Sequence, residues 1–508
     1  MHDRGQRRLG MSTGGRLTRK IGVVAVGRAA NALSIYMVYA LVARAWTPEE
    51  CGVFLAVWVL GNVLIPIFLL GLPTSLLYFF PRRENQRALV GQAAVCLLVS
   101  AAGLVGVLSL WGTSLADWLA INESQDASLA IYLWPFLPYI FALVAGGFAE
   151  SVLVASNREI WLAWLQLAMG LGLVAGAGAT LYPGLRPAEL LALFSCLGML
   201  RLVVSGWLVH RALGRGKGWW TREDFGELMH YTRPIGYNDA VGSLSRSVDR
   251  LVVLHFFAAG TFAQYNFGAI EVPVSLLLAS VVAVLVPEIS RLFQEERLEE
   301  IRLLWQRAVS RLAILVLPLA AFLLVFADPI IGWIFPEAYA RSAWVFRLYL
   351  LVLPLRCAVY NPLLVGMGKA RWALWSSLGD LGCNLLLSLT LVGYLQGSRP
   401  DLAFLGPAIA TVSSTYLQVG FLLVAISWHL NWGLRRLLPW ARLLRIGVGA
   451  GGAAVASRWF TVGLDGDFMQ LSAGAFCFAL VVGVLAWSHP VDRAELIDTF
   501  GALVRTER

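Results

Sequence analysis

Residues 53–80 read VFLAVWVLGNVLIPIFLLGLPTSLLYFF, an apolar run that contains no charged side chain. A helix needs about 20 mostly apolar residues to cross the hydrocarbon core of a bilayer, so this run predicts a membrane-spanning helix. The rest of the chain has the same character, because 58% of its 508 residues are apolar and only 14% are charged. Soluble proteins carry about 25% charged residues. We therefore predict an all-α membrane protein with almost no soluble domain.

Short polar breaks divide the chain into further apolar runs, which predict about 14 transmembrane helices. The predicted spans are 21–43, 53–80, 89–111, 129–154, 161–181, 188–210, 232–257, 262–288, 309–328, 342–366, 372–395, 403–428, 442–463 and 468–488.

The positive charges lie at the ends of these spans rather than on a soluble patch, so the net charge of +9 does not indicate a nucleic-acid partner. Cytoplasmic loops of membrane proteins carry an excess of Lys and Arg. If the N-terminus is cytoplasmic, the cytoplasmic segments hold most of the 40 Lys and Arg residues. The opposite segments then hold Arg44, Arg186, Arg341, Arg347, Arg399 and Arg458. Both termini are predicted to be cytoplasmic.

The patterns of common catalytic and metal sites are absent from the sequence. The six cysteines are scattered without a CxxC pair, and the six histidines have no metal-ligand spacing. The glycine-rich segment 214–218 lacks the ending of a phosphate-binding loop. The chain also has no long loop that could carry catalytic groups. We predict no enzyme activity, no metal and no cofactor.

Two parts of the sequence resemble each other at a nearly constant offset. Residues 157–164 (NREIWLAW) match residues 368–375 (GKARWALW), and residues 184–187 (GLRP) match residues 397–400 (GSRP). This pattern predicts a duplicated unit of six spans, a frequent feature of transporters. The predicted parts are a basic cytoplasmic N-terminus (1–20), an N-lobe (21–211), a cytoplasmic linker (212–231), a C-lobe (232–430), two additional spans (431–489) and a cytoplasmic tail (490–508). Residues 289–308 are interpreted as an interfacial amphipathic helix or, equally, a solvated one.

Charged and amide residues inside the spans are expensive in lipid and therefore mark functional positions. Six arginines lie inside predicted spans: Arg28, Arg201, Arg233, Arg246, Arg250 and Arg356. In span 232–257, a rotation of about 100° per residue places a polar stripe on one face. The stripe comprises Asp239, Gly242, Ser243, Arg246, Asp249 and Arg250. Such a helix can line an aqueous cavity, or it can hold a structural ion pair between Arg246 and Asp249.

The predicted binding residues are those that would face a cavity between equivalent spans. They are Arg28, Asn31, Asn62, Asp239, Arg246, Asp249, Arg250, Asn266 and Arg356. Glu150, Glu271 and Asp380 are predicted as groups for ion coupling, because a buried carboxylate can titrate. The alternative for the asparagines is interhelical hydrogen bonding, and the alternative for the acids is a paired structural role. An arginine-lined cavity favours an anionic, phosphate-containing substrate.

Several short motifs resemble those of the polysaccharide flippases. They are TPEECG (47–52), SVDRL (247–251) followed by Tyr265, LVPEISR (285–291), GMGKA (366–370) and LGPAIAT (405–411). The resemblance covers residues 20–430 and identifies the chain as a member of the multidrug/oligosaccharidyl-lipid/polysaccharide exporter superfamily. Two positions depart from the family pattern, since Cys51 stands for a usual Tyr and Ala263 for a usual Gly.

The resemblance implies two six-helix lobes around a cationic cavity, working by alternating access. In some relatives, the last two spans frame a groove for a lipid tail. The implied function is a flippase that moves a polyprenyl-diphosphate-linked oligosaccharide across a bacterial inner membrane. Arg28, Arg246 and Arg250 would hold the diphosphate or acidic sugars, with Arg356 as a further arginine of the same kind. Asn31, Asn62 and Asn266 would bind sugar hydroxyls.

The expected partners are the lipid-linked oligosaccharide, membrane lipid, a coupling H⁺ or Na⁺, and the polysaccharide assembly machinery. Three alternatives stay open. A multidrug antiporter of the same superfamily should have an acidic cavity, whereas the stripe on span 232–257 is basic. A lipid II flippase would share the diphosphate chemistry. A membrane glycosyltransferase or ligase would need a catalytic loop.

Overall fold

The computed structural model describes residues 26–118, 129–182, 184–214, 218–221, 225–270, 272 and 275–488. Every regular element within these ranges is a helix. The chain divides into two compact units, Met1–Ala263 and Gln264–Arg508. The helical structure of the described residues agrees with the predicted all-α membrane protein.

Unit 1 contains ten helices in its described part, and an eleventh begins in it. They are α1 (Val26–Ala45), α2 (Pro48–Phe68), α3 (Leu72–Phe79), α4 (Gln86–Trp118), α5 (Leu129–Ala145), α6 (Phe148–Ala155), α7 (Glu159–Ala179), α8 (Pro187–Leu213), α9 (Phe225–Ser245), α10 (Val248–Phe256) and α11 (Ala259–Gly268), which crosses into unit 2.

Unit 2 continues with ten further α-helices among its described residues. They are α12 (Ser275–Gln294), α13 (Leu298–Val325), α14 (Ala327–Ile334), α15 (Ser342–Leu350), α16 (Tyr360–Gly366), α17 (Ala370–Ser398), α18 (Gly406–Leu430), α19 (Leu434–Leu437), α20 (Trp440–Thr461) and α21 (Asp467–Ser488). Short 3₁₀ helices cover Glu337–Tyr339, Leu353–Cys357 and Pro400–Leu405.

Eleven stretches of the described chain are long and apolar enough to cross a membrane. The predicted spans without such a stretch are 232–257, 262–288 and 442–463. The first is polar and divided between α9 and α10, and the second is divided between α11 and α12. The third is α20, which carries Arg442, Arg445 and Arg458. The chain is a multi-pass membrane protein with at least these eleven candidate spans.

Several predicted spans bend where the apolar pattern continues without interruption. Span 53–80 is two helices, α2 and α3, because Leu70 and Gly71 adopt left-handed φ values of 56° and 74°. Span 129–154 breaks at Gly146 and Gly147, between α5 and α6. Span 232–257 breaks at residues 246–247, between α9 and α10. Each of these three predicted spans therefore contains an interruption that the apolar pattern does not show.

The prediction for residues 289–308 was wrong. Helix α12 continues to Gln294 and α13 begins at Leu298, so only a tight turn lies between them. Ile301 and Trp305 in the first turns of α13 are fully buried. They pack in a hydrophobic core with residues of α12, α16 and α18, including Leu285, Leu363 and Ile426. This segment is therefore part of the unit 2 core rather than an interfacial or solvated helix.

The two copies of the sequence repeat adopt the same turn. Asn157 and Gly368 occupy equivalent positions and have left-handed φ values of 57° and 72°. The Arg158 N–H donates to the Leu153 carbonyl, and the Lys369 N–H donates to the Leu364 carbonyl, both at 2.8 Å. The Asn157 N–H also donates to the Val154 carbonyl at 3.1 Å, and the Gly368 N–H to the Val365 carbonyl at 2.9 Å. The two bonds at each turn together form a Schellman motif. Helices α7 and α17 then begin one residue later.

Candidate functional site

The described residues of unit 1 line two adjoining, partly open cavities. The larger cavity has a volume of about 440 Å³ and the smaller one about 170 Å³. Helices α1, α2, α5, α7 and α8 contribute to both cavities, and Ile65, Leu143 and Arg201 line both. The larger cavity is also lined by Arg28, Leu69, Pro73, Thr74, Leu77, Ala142, Gly146, Gly147, Ala149, Glu150, Ser151, Val154, Leu162, Leu165, Leu202 and Ser205. The smaller cavity is also lined by Asn31, Ile35, Trp58, Gly61, Asn62, Phe136, Tyr139, Met169, Leu173, Leu197 and Gly198.

Helix α1 reaches the cavities because it packs closely on α7. A Cβ at Gly27 would lie 3.2 Å from Ala163 Cα, and a Cβ at Gly170 would lie 3.1 Å from Ser34 Cβ. Small residues at a helix interface allow the backbones to approach closely. The close approach fixes the rotation of α1, so that Arg28 faces the larger cavity and Asn31 the smaller one.

Arg28 forms an ion pair with Glu150 on the wall of the larger cavity. Arg28 Nη2 donates to Glu150 Oε1 at 2.7 Å, and Arg28 Nε donates to the same oxygen at 3.2 Å. The side chain of Arg28 is 57% exposed and that of Glu150 is 34% exposed. Glu150 lies in the first turn of α6, directly after the bend at Gly146 and Gly147. Gly146, Gly147 and Glu150 all line the larger cavity.

Arg201 is the charged residue shared by both cavities. It projects from α8 and forms no ion pair with any residue that the structure describes. Arg201 and Tyr139 both line the smaller cavity. The charged residues of the larger cavity are thus two arginines and one glutamate, and Arg201 is the charged residue of the smaller one. Arg201 was missing from the predicted binding residues, although its position inside a span was the signal that could have identified it.

Aromatic rings form one wall of the smaller cavity. Phe136 and Tyr139 stack with ring centroids 5.0 Å apart, and Trp58 lies 5.6 Å from Tyr139. Asn31, Asn62 and Arg201 supply polar groups around these rings. An apolar pocket with a few convergent polar groups is the usual form of a small-molecule site. The smaller cavity therefore combines ring surfaces with amide and guanidinium donors.

Helix α9 packs on the bend between α2 and α3. Pro66 has no N–H, so the Asn62 carbonyl lacks its helical donor. The Ser243 hydroxyl lies 3.4 Å from this carbonyl and donates to the Val63 carbonyl at 3.0 Å. Nearer the N-terminal end of α9, the Thr232 hydroxyl donates to the Ser75 hydroxyl at 2.9 Å. The Ser243 hydroxyl thus attaches α9 to α2, which carries Asn62, and the Thr232 hydroxyl attaches α9 to α3.

The polar stripe predicted on span 232–257 does not form one continuous face. Helix α9 ends at Ser245 and α10 begins at Val248. Arg246 lies exposed in the break and interacts electrostatically with Asp239 of α9. Asp249 is only 1% exposed and Arg250 is half-buried, both in α10. These four residues do not line either cavity of unit 1.

The other predicted residues are not among the lining residues of these cavities. Asn266 is buried in α11, Arg356 lies in the 3₁₀ helix Leu353–Cys357, and Asp380 lies in α17. Glu271 lies outside the described residues. Among the described residues, no cluster of His, Cys, Asp and Glu could hold a metal ion. The structure thus brings together Arg28, Asn31, Asn62 and Glu150 of the predicted set.

Comparison of the sequence with known families decides the classification. The profile of a family described as polysaccharide biosynthesis protein matches residues 17–293, which is more than half of the chain. The chain belongs to the polysaccharide biosynthesis protein family. The relationship that the sequence motifs predicted is confirmed.

One relative of this family member is the probable lipid II flippase MurJ of Rhizobium meliloti (strain 1021). It is 27% identical over 213 residues, which cover 40% of this chain. The matched part spans only 38% of the relative's length.

Solved structures show the same fold. The lipid II flippase MurJ in an inward closed conformation has a TM-score of 0.69 at 14% identity, with 91% of this chain and 99% of that chain covered. An inward-facing multidrug resistance transporter of the MATE family has a TM-score of 0.61 at 13% identity, covering 81% and 99%. A MOP superfamily transporter from Pyrococcus furiosus has a TM-score of 0.58 at 13% identity, covering 82% and 96%. This member of the polysaccharide biosynthesis protein family therefore shares its fold with these transporters.

Proposed function

We propose that this transporter is a flippase that translocates a polyprenyl-diphosphate-linked oligosaccharide across a bacterial inner membrane by alternating access. The observation that carries the proposal is the pair of adjoining cavities in unit 1, which combine two arginines with amides and an aromatic wall. Guanidinium groups bind phosphate oxygens in a fork geometry. Aromatic faces and amide groups suit the rings and hydroxyls of sugars.

In this proposal, Arg28 and Arg201 bind the diphosphate. Asn31 and Asn62 bind sugar hydroxyls beside Trp58. Asp239, Arg246, Asp249, Arg250, Asn266 and Arg356 remain proposed contacts of the translocation pathway, and Glu150, Glu271 and Asp380 remain proposed sites of H⁺ or Na⁺ coupling. The proposed topology has 14 spans with both termini cytoplasmic, arranged as two six-span repeats and two additional spans. The polysaccharide assembly machinery is the proposed partner at the membrane.

Lipid II is the second proposed substrate, because the sequence relative is named as a probable lipid II flippase. Lipid II also carries a polyprenyl diphosphate, so the same arginines would serve either substrate. A multidrug substrate is disfavoured, because a cationic drug would meet Arg28 and Arg201 in the larger cavity. A glycosyltransferase or ligase activity is disfavoured by the transporter family.

The test is complementation of a strain that lacks the gene. Loss of surface polysaccharide with normal growth supports the oligosaccharide flippase, whereas loss of viability supports the lipid II flippase. Arg201→Ala and Arg28→Ala should fail to complement at normal protein levels, and Arg201→Lys should complement partially because it keeps the charge without the fork. Arg307→Ala is the matched control, since Arg307 is an exposed arginine of α13. Full complementation by Arg28→Ala and Arg201→Ala would overturn the proposed role of the cavities. Increased drug sensitivity of the deletion strain with unchanged glycan would instead support a multidrug transporter.

A further inference from the structure

The ion pair between Arg28 and Glu150 lies at the position where the proposed substrate needs a free guanidinium. Both side chains line the larger cavity, and both remain accessible, at 57% and 34% exposure. Glu150 contacts Arg28 through Oε1, at 2.7 and 3.2 Å from two of its nitrogens. A carboxylate presents oxygen acceptors to arginine with the same fork geometry as a phosphate. Glu150 therefore occupies donors of Arg28 that a phosphate group would use.

The second arginine of the larger cavity, Arg201, differs from Arg28 in its contacts. Arg201 has no ion-pair partner among the described residues. A ligand with one phosphate can bind to Arg201 without disturbing the ion pair. A diphosphate that also binds the Nε and Nη2 edge of Arg28 has to displace Glu150.

We propose that Glu150 is an internal competitor for the diphosphate group, which occupies Arg28 in the empty cavity and is displaced when the substrate binds. This inference rests on the proposed function, because it takes the substrate to be a prenyl diphosphate. It gives Glu150 a role in setting the affinity for the substrate rather than in contacting it. A moderate affinity matters for a transporter, because the substrate has to leave the cavity again on the other side of the membrane.

The test is a binding measurement on the purified full-length protein in detergent, with farnesyl diphosphate as the probe and farnesol as the uncharged control. Glu150→Gln should bind farnesyl diphosphate about two- to fivefold more tightly than the wild type, which corresponds to the free energy of a half-exposed ion pair. Its affinity for farnesol should not change. Glu227→Gln is the matched control, because it removes another ion pair of unit 1, with Arg83, away from the cavities.

A double-mutant cycle separates competition from a general effect of charge. Arg28→Ala should bind the diphosphate about tenfold more weakly, because it loses charge-assisted hydrogen bonds. Adding Glu150→Gln to Arg28→Ala should then restore less than about twofold, since no competition remains to be relieved. Equal affinities of Glu150→Gln and the wild type would overturn the inference and leave the proposed function intact. The same gain in both backgrounds would also overturn it. If the wild type does not prefer farnesyl diphosphate over farnesol, the proposed function and the inference both fail.

Discussion

Gly236 offers a direct test of how α9 is held against the bend between α2 and α3. A methyl group at this position would lie 2.7 Å from the Leu70 carbonyl oxygen, 2.8 Å from its carbonyl carbon and 3.2 Å from its Cα. Carbon atoms in contact normally lie about 3.5–4.0 Å apart. The substitution Gly236→Ala therefore requires α9 and the bend to separate by about 0.5 Å or more. Leu70 cannot rotate away easily, because it already holds a left-handed φ of 56°.

The magnitude follows from two opposing effects. Overpacking of a well-packed contact costs about 1–3 kcal/mol. Alanine in place of glycine inside a helix stabilises it by about 1 kcal/mol. We expect a net destabilisation of about 1–2 kcal/mol, because the clash involves backbone atoms that no rotamer change can relieve.

The assay is thermal unfolding of the purified protein in detergent micelles. The control is Gly103→Ala in α4, where an added methyl group meets no atom within 4 Å. Gly103→Ala should raise the Tm slightly, whereas Gly236→Ala should lower it by about 1–2 °C for each kcal/mol. If α9 moves as expected, the Ser243 bond to the Val63 carbonyl is already weakened in Gly236→Ala. Ser243→Ala should then cost less in that background than in the wild type. A Tm of Gly236→Ala equal to that of Gly103→Ala would refute this account of the contact.

Three further predictions concern other parts of the chain. Glu296 has a left-handed φ of 57°, so Glu296→Gly should stabilise the protein by about 1 kcal/mol in the same unfolding assay. Gly368 also has a left-handed φ, of 72°, so Gly368→Ala should destabilise the protein by about the same amount. Equal Tm values for Glu296→Gly and Gly368→Ala would contradict this expectation. The pKa of Glu295, in the turn before α13, is lowered by its hydrogen bond with Arg297 and further by Arg291. This stabilisation is present above the usual pKa of 4.5 and is lost as the pH falls through the lower folded value. Glu295→Gln should therefore have a lower Tm than the wild type at neutral pH, and its Tm should decrease less on acidification. A pH profile of the Tm equal to that of the wild type would exclude this contribution.

The sequence predicted the helices well and their bends poorly, for a physical reason. Hydrophobicity records whether a residue can face lipid, so the runs of α7 and α17 were readily identified. A bend inside a membrane protein needs only a local change of φ or a pair of glycines, and both keep the run apolar. The break at Gly146 and Gly147, which precedes Glu150, was therefore not visible in the pattern. The left-handed φ values of Leu70 and Gly71 were not predicted, for the same reason.

The candidate site was predictable in part. Charge inside a span singled out Arg28, Glu150 and Arg201 alike, because each is costly in lipid. Only packing distinguishes an arginine that lines two cavities from one that lies elsewhere. The stripe on span 232–257 illustrates the opposite error. Helical periodicity places residues on one face only while the helix continues, and the break after Ser245 separates Asp239 from Asp249.

The turns at Asn157 and Gly368 have a consequence for how the protein sits in membranes of different thickness. Each turn satisfies carbonyls at the end of the helix before it, α6 or α16, with its own N–H groups, through the bonds to Leu153 and Leu364. No water is available for this purpose in the hydrocarbon layer. The turn backbone therefore imposes no fixed depth, and the neighbouring side chains determine the level at which the helix ends rest. At the first turn, these are Arg158, whose guanidinium lies 4.6 Å from the Trp161 ring, and the exposed Trp164. Arginine and tryptophan side chains bind in the headgroup region. A mismatch between helix length and membrane thickness should therefore tilt α7 and α17, which begin at these turns, rather than unfold the turns.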